Sequence, residues 1–123
     1  MIDAALYRLM TWLSPAYPVG AYGYSHGIEF AVEAGLVRDR ASLVDWVATV
    51  VERGAGRVDA AIFAAAWRAV ADGDDARLAE TIALAKAWRG TSETALESAA
   101  QGAAFVATTR AAWPHPRLAR LPR

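Results

Sequence analysis

The sequence has no cysteine, a single lysine and only two histidines. Without cysteine the chain has no disulfide bond, no thiolate zinc site, no iron–sulfur cluster and no cysteine nucleophile. Two imidazoles, His26 and His115, are too few for a His-rich metal site. The only lysine, Lys86, does not follow the glycines of segment 20–27, whose spacing matches neither the P-loop nor the dinucleotide-binding fingerprint. A nucleotide site is therefore not expected.

Net charge and long apolar runs are also absent. The chain carries 13 basic and 13 acidic residues, which excludes a whole-chain binder of nucleic acid, because phosphate contacts need a basic excess. No apolar run approaches the roughly 18–20 residues that span a bilayer. Asp3 and Arg8 interrupt the apolar pattern of residues 1–13, so this segment is not a signal-peptide core. These absences predict a soluble, cytoplasmic protein that binds neither nucleic acid nor a membrane.

Alanine is abundant instead, at thirty of 123 residues. It is the best helix former and a poor strand residue, so the excess favours closely packed helices, although a GC-rich genome would produce the same bias. At this length one domain is expected. We predict a single all-α domain over residues 1–112 and a Pro/Arg-rich tail over 113–123. The tail has three arginines and no acid, and is either an unstructured end or the start of a truncated segment.

Apolar residues recur at helical spacing in six segments, which predicts a bundle of about six helices. An ordered loop rich in Gly, Pro and Tyr, residues 14–25, separates the first two helices. The predicted helices span residues 2–13, 26–34, 41–53, 58–71, 76–88 and 92–112.

Polar residues before these segments predict the helix starts. Ser25 is the expected N-cap of the second helix. Asp39 or Ser42 is expected to cap the third helix, and Thr91 or Ser92 the sixth. Each has a side-chain oxygen that can accept a hydrogen bond from a free backbone N–H of the first turn.

Glycines predict the helix ends. Gly35 is expected to take a left-handed conformation after the second helix, and Gly54 and Gly56 are expected to end the third. One face of that third helix is apolar and is predicted to point inward. Its residues are Leu43, Val47, Val50 and Val51, with Trp46 beside them.

Three side chains offer the one weak candidate for a metal site. His26, Glu29 and Glu33 are three and four residues apart, so on a helix they share one face. Imidazole with carboxylates suits nickel, zinc or iron. The alternative is an ordinary helix start with surface glutamates, in which Glu29 interacts favourably with the helix dipole. Ser25 and His26 are adjacent, so their side chains diverge and do not form a nucleophile–base pair.

A charged stripe is predicted around the start of the sixth helix. Arg89, Glu93 and Glu97 are four residues apart. The stripe is either a solvated face with ion pairs of small worth or a surface that meets a partner.

The segment 12–37, WLSPAYPVGAYGYSHGIEFAVEAGLV, resembles the N-terminal signature of the UreF family of urease accessory proteins. That signature has a helix, then Ser-Pro-x-x-Pro-Val-Gly, then an aromatic residue, Ser, His or Gln, Gly, a hydrophobic residue and Glu. The matching residues here are Ser14, Pro15, Pro18, Val19, Gly20, Tyr24, Ser25, His26, Gly27, Ile28 and Glu29.

A second segment resembles another signature of the same family. It comprises residues 92–97, SETALE, followed by Gln101 and Gly102. The family often has Arg-Glu-Thr here, and Ser92 occupies the usual arginine place. This departure weakens any charge-based role at that position.

The resemblance implies an all-α, non-enzymatic protein of nickel-dependent urease maturation. Members of the family are thought to dimerise and to bridge a scaffold protein, UreD or UreH, to the GTPase UreG. That assembly docks on apo-urease and inserts nickel, so nickel is handled by the assembled complex and no cofactor is expected to bind this chain stably. The alternative is a helical protein-interaction module unrelated to urease.

The resemblance also suggests which residues meet partners. His26 is often Gln in the family, and Gln is a poor nickel ligand, so an interface or structural role fits both residues better than metal binding. Gly27 allows close approach of the backbone. The partner-binding candidates are Tyr22, Tyr24, Ser25, His26, Gly27 and Glu29 in the first signature, and Glu93, Glu97 and Gln101 in the second.

The sequence departs from the family in length, because members are nearly twice as long. The resemblance covers most of residues 2–113 and is expected to fade at Trp113-Pro114. The chain is therefore expected to be the N-terminal part of the family domain. Helices missing from it should leave an apolar face exposed, and such faces associate. We predict more self-association than in a full-length member.

Overall fold

The computed structural model describes residues 3–119, and in that range the chain is all-α, as predicted. The family resemblance and the helical periodicity both predict this all-α fold. About six helices are expected from the sequence, and the described range has six of at least six residues and a seventh of a single turn. In chain order they are α1 (Ala4–Trp12), a short 3₁₀ helix (Ala21–Gly23), α2 (Ile28–Glu33), α3 (Arg40–Glu52), α4 (Ala55–Asp72), α5 (Asp75–Ala87), α6 (Ser92–Ala112) and α7 (Pro116–Ala119).

The helices belong to two compact units. The first unit combines Met1–Tyr24 with Thr91–Arg123 and contains α1, the 3₁₀ helix, α6 and α7. The second unit is Ser25–Gly90 and contains α2 to α5. The expected single domain over residues 1–112 remains a prediction.

Aromatic rings form the centre of the first unit. The ring of Phe105, on α6, lies 6.1 Å from that of Trp12 and 5.4 Å from that of Tyr17, measured between centroids. Trp12 also meets Trp113 edge to face at 6.3 Å. Beneath the rings, the hydroxyls of Tyr17 and Thr109 are 2.8 Å apart in a buried hydrogen bond. These contacts join the start of the chain to α6 across about ninety residues of sequence.

The second unit is built from helices that follow one another directly. α4 packs against both α3 and α5. Small side chains allow this approach: Ala69 on α4 is completely buried, and Thr81 on α5 is nearly so. Thr81 satisfies its own hydroxyl by donating to the Arg77 carbonyl at 2.8 Å.

The predicted caps at Asp39 and Thr91 are confirmed. The Asp39 carboxylate accepts from the Ser42 backbone N–H at 2.9 Å, while the Ser42 hydroxyl donates to Asp39 in return. Thr91 and Thr94 form the corresponding capping box at the start of α6. Gly35 takes the expected left-handed conformation, with a φ of 70°, and the N–H of Leu36 returns to the Ala31 carbonyl.

Gly56 does not end the third helix, contrary to the prediction. It lies in the first turn of α4, which begins at Ala55, and only two residues separate α4 from the end of α3. A Cβ atom at Gly56 would lie 2.8 Å from the Cα of Val51. The glycine is therefore placed where α4 begins against the last turn of α3, and its role is close approach.

The apolar face predicted to point inward on α3 is largely exposed. Leu43, Val47 and Val51 each expose more than a third of their surface, whereas Val50 and Trp46 are half-buried. Periodicity correctly placed these residues on one helix, but the described part of the chain leaves three of the five exposed.

The start of the tail is helical. α7 begins at Pro116, and proline suits a first helical position because its missing N–H would have no intrahelical partner there. The guanidinium of Arg110 donates twice to the Leu118 carbonyl. The part of the tail up to Ala119 is thus attached to α6 and is not an unstructured end. Arg120 and Arg123, like Ile2 of the predicted first helix, lie outside the described residues.

Candidate interaction surface

The turn before α2 is built by two successive left-handed residues. His26 has a φ of 51° and Gly27 a φ of 78°, and His26 is the one residue other than glycine with a positive φ in the described range. The turn closes where the Ile28 N–H donates to the Ser25 carbonyl at 3.0 Å. A left-handed conformation is uncommon for a residue with a Cβ atom, and the hydrogen bond from Ile28 to Ser25 spans it here.

The structure corrects two expectations at this turn. Ser25 is the N-cap that the sequence predicts for the second helix, but Gly27 is the N-cap and no side chain caps α2. His26 is predicted to lie on the helix, but it precedes α2 by two residues and is outside the helical repeat. Two left-handed residues reverse the backbone before the helix starts, and a cap at Ser25 would require the helix to start earlier.

The weak metal candidate loses its geometric basis for the same reason. His26, Glu29 and Glu33 share one helix face only if all three are helical, and His26 is not. Across residues 3–119 no group of three or more His, Asp or Glu side chains is placed to hold a metal ion. The structure leaves Glu29 in the first turn of α2, where a carboxylate interacts favourably with the helix dipole.

Two tyrosines of the first signature stand on the first unit. Tyr22 lies in the 3₁₀ helix and its side chain is fully exposed, at 102% of the reference surface. Tyr24 follows that helix in extended conformation and is also exposed. The left-handed Gly20, with a φ of 77°, starts the 3₁₀ helix. A tyrosine so exposed has a large amphipathic ring available to a partner.

The second signature forms one polar stripe on α6. Glu93, Glu97 and Gln101 are four residues apart, and the Gln101 amide donates to the Glu97 carboxylate at 3.0 Å. Hydrogen bonds from its own backbone N–H and from the Thr91 and Ser92 hydroxyls hold the pKa of Glu93 below its usual range. The stripe is therefore acidic and its carboxylates are oriented.

Arg89 has a different partner from the one the stripe suggested. Its guanidinium donates to the Asp59 carboxylate at 2.9 Å, within the second unit. This pair is partly exposed, so it contributes little to stability. Arg89 is therefore tied to α4 and is not part of the acidic stripe.

Sequence reasoning missed a pocket in the first unit. The pocket has a volume of about 500 Å³, and its walls come from α1, α6 and the chain around α7. Trp12 and Phe105 form an aromatic wall, and Arg8 is the charged residue beside them. No sequence signal pointed to it, because its walls come from segments about ninety residues apart.

The indole N–H groups of Trp12 and Trp46 are buried without a hydrogen-bond acceptor in the described part of the chain. Such groups are uncommon in folded proteins, because leaving a buried donor unpaired costs about 1–3 kcal/mol. Within the described residues, each indole N–H therefore lacks the hydrogen-bond acceptor that a buried donor usually has.

Large apolar side chains are exposed on both units. Leu13 on the first unit is 75% exposed and Phe63 on the second is 71% exposed. Singly exposed apolar side chains are common on folded proteins, so the self-association expected from the sequence stays a prediction. None of the helices within residues 3–119 combines the length and the apolar character needed to cross a bilayer.

Comparison with known proteins places the chain beside one family. A family model described as UreF matches residues 37–123. From the sequence, the resemblance is expected to fade at Trp113-Pro114. The match instead continues through residue 123, so that expectation is wrong.

Relatives named urease accessory protein UreF match nearly the whole chain. The protein of Granulibacter bethesdensis is 61% identical over 117 residues, which are 95% of this chain and 50% of the relative. The protein of Methylorubrum populi is 54% identical, covering 98% of this chain and 53% of the relative. That of Mesorhizobium japonicum is 52% identical, covering 96% and 52%. The chain spans about half the length of the curated relatives it matches, and no solved structure matches it.

Proposed function

The chain belongs to the UreF family of urease accessory proteins, and from this membership we propose that it acts as a non-enzymatic adaptor in nickel-dependent urease maturation. In this role it binds a UreD- or UreH-type scaffold and a UreG-type GTPase in the cytoplasm and brings them to apo-urease. Nickel is the cargo of that assembly and is not a resident cofactor of this chain. The observation that carries the proposal is the match at 61% identity over 95% of the chain to a protein named for this pathway.

The arrangement of polar groups supports an adaptor better than a catalyst. The pair Ser25–His26 has no orienting third group among the described residues, and His26 lies on a turn with an exposed imidazole. The oriented carboxylates of α6 and the exposed tyrosines offer the mixture of charge and aromatic surface that protein interfaces use. The relatives are named accessory proteins, which fits the same role.

We assign partner contacts to both signatures. On the first unit, Tyr22 and Tyr24 present aromatic surface. On the second unit, the left-handed turn displays Ser25, His26 and Glu29 around Gly27. On α6, Glu93, Glu97 and Gln101 form an acidic stripe suited to a basic partner surface.

Pull-down of this chain by purified UreD/UreH-type scaffold and by UreG-type GTPase tests the role. Tyr22→Ala is the informative variant. Because the Tyr22 side chain is fully exposed, its removal should not lower the stability of the chain itself. Tyr7→Ala is the matched control, since Tyr7 is also an exposed tyrosine of the first unit but lies outside the signature. We expect Tyr22→Ala to weaken binding at least tenfold and Tyr7→Ala to leave it unchanged.

Equal binding by both variants would show that Tyr22 is not part of the interface. Binding to neither partner by the unmodified chain would count against the adaptor role and favour a helical interaction module without a urease connection. Nickel titration of the chain alone provides an independent check: tight binding abolished by His26→Gly would contradict the cargo assignment. Glycine is chosen there because it keeps the left-handed backbone while removing the imidazole.

A further inference from the structure

Tyr17 is the buried residue of the loop segment 14–24, and it connects this segment to α6. Its hydroxyl is 2.8 Å from that of Thr109, and its ring lies 5.4 Å from the ring of Phe105, measured between centroids. By contrast, the backbone hydrogen bonds described for the segment join residues no more than three apart. Those bonds shape the segment locally, whereas Tyr17 attaches it to a helix far away in the sequence.

The part of the segment that carries Tyr22 stands free of the rest of the unit. Tyr22 lies in the 3₁₀ helix, with Gly20 directly before that helix and Gly23 at its end. A Cβ atom built on either glycine would meet nothing within 4 Å apart from its chain neighbours in the described range. Tyr17 is five residues before Tyr22 in the sequence. The orientation of the Tyr22 ring therefore depends on how firmly Tyr17 is fixed.

The anchor of Tyr17 continues the row of α6 that carries the second signature. The row comprises Glu93, Glu97, Gln101, Phe105 and Thr109, each four residues after the last. Side chains four apart on a helix are neighbours. The first three residues of the row are partner-binding candidates, and the last two contact Tyr17. Both signatures of the first unit thus depend on one helix for their placement.

We propose that Tyr17 is a positioning residue of the adaptor surface: its contacts with Phe105 and Thr109 hold Tyr22 in the orientation that a partner binds. Tyr17 itself is only 8% exposed, so it acts through Tyr22 and does not meet the partner. A side chain that is oriented before binding loses less conformational freedom on binding, which favours affinity. The proposal rests on the adaptor role, and its first test needs no partner.

Chymotrypsin cleavage of the chain alone measures how firmly the segment is held. The protease cuts after aromatic residues in segments that open locally, and dividing the rate after Tyr22 by that after Phe63 on α4 removes the effect of global unfolding. Tyr17→Phe keeps the ring but loses the hydrogen bond, and should raise this ratio about fivefold. Tyr7→Phe is the matched control, because it removes an exposed hydroxyl from α1 of the same unit, and should leave the ratio unchanged.

Partner affinity measures the consequence for binding. Tyr17→Phe should weaken binding to the UreD/UreH-type scaffold or the UreG-type GTPase, whichever Tyr22 contacts, by about fivefold. A double variant with Tyr17→Phe and Thr109→Val removes both hydroxyls and keeps both shapes, so no buried group is left unpaired and the melting temperature should recover. The bond that orients the segment is still missing, so the cleavage ratio and the affinity should stay altered.

Tyr22→Ala shows whether Tyr17 acts through Tyr22. Once the Tyr22 ring is absent, Tyr17→Phe should weaken binding no further, whereas independent contributions would add. Additive losses would overturn the proposal. An affinity that returns together with the melting temperature in the double variant would also overturn it, because Tyr17 would then have a purely structural role.

The two measurements separate this proposal from the adaptor role. An unchanged cleavage ratio in Tyr17→Phe, in a chain whose unmodified form binds its partners, would overturn the positioning role alone. Binding to neither partner by the unmodified chain would overturn the adaptor role and with it the use of Tyr22, even where the cleavage ratio rises as expected.

Discussion

Different kinds of side chain hold each of the two units together. The first unit brings together segments from opposite parts of the sequence and holds them with Trp12, Tyr17 and Phe105 and one buried hydrogen bond. The second unit stacks successive helices whose contact residues are small, such as Ala69. An alanine-rich composition therefore suffices where neighbouring helices meet, whereas distant segments are joined by large rings.

The largest expected difference in stability comes from removing one phenylalanine ring in each unit. Phe105→Ala removes the ring that touches both Trp12 and Tyr17, and should lower the free energy of unfolding by about 3 kcal/mol. Phe63→Ala removes a ring that is 71% exposed on α4 and should cost less than about 0.5 kcal/mol. Urea unfolding followed by circular dichroism measures both. Similar losses would mean that the aromatic cluster does not hold the first unit together.

Replacing either of two glycines by alanine should change the stability of the chain, but in opposite directions. Gly56→Ala would place a Cβ atom 2.8 Å from the Cα of Val51, so α3 and α4 must move apart at a cost of about 1–3 kcal/mol. At Gly102, inside α6, a Cβ atom would meet no other described part of the chain within 4 Å, so Gly102→Ala should stabilise by about 0.5–1 kcal/mol. Thermal unfolding measures the pair. Equal shifts in melting temperature would contradict the close approach assigned to Gly56.

A smaller effect is expected for the buried hydroxyl pair. Tyr17→Phe leaves the Thr109 hydroxyl buried without its partner, which should cost about 1–2 kcal/mol. Tyr22→Phe removes a hydroxyl that faces solvent and should change nothing measurable. Hydrogen exchange of the α6 amides tests the local effect. Unchanged protection near Thr109 in Tyr17→Phe would show that the hydrogen bond is dispensable.

The smallest effect depends on pH and concerns the cap of α3. The backbone N–H and the hydroxyl of Ser42 lower the pKa of Asp39 below its usual value, so the folded state favours the carboxylate. This contribution to stability is present in full above the usual pKa of an aspartate and is lost as the pH falls through the lowered folded value. NMR titration of the Ser42 amide should follow that acid transition. Asp39→Asn should abolish the titration but retain much of the cap, because asparagine is also a good N-cap.

Local chemistry predicted much of the second unit. The capping box at Asp39 and the left-handed Gly35 follow from residue types at fixed spacings, and both are present. The error at Gly56 has a tertiary cause, because a glycine required for close approach looks the same in sequence as one that ends a helix. His26 was misplaced because helical spacing does not reveal the left-handed turn that precedes α2.

The first unit was less accessible to sequence reasoning. The pairing of Tyr17 with Thr109 joins residues 92 apart, and periodicity gives no information on such a contact. The same limit hid the pocket, whose walls are Trp12, Phe105 and the stretch around Leu118. By contrast, α7 had a usable signal in Pro116, whose fixed φ suits the first position of a helix.

Size-exclusion chromatography with light scattering is the most direct test of the adaptor role. This chain would be mixed with the UreD/UreH-type scaffold and the UreG-type GTPase, with GTP and nickel, and the full-length Granulibacter bethesdensis relative would be run in parallel. We expect the chain to elute with both partners in a single complex whose mass equals that of all three proteins together. Separate elution of the chain, under conditions in which the full-length relative forms that complex, would contradict the claim that this half of the family carries the adaptor surfaces.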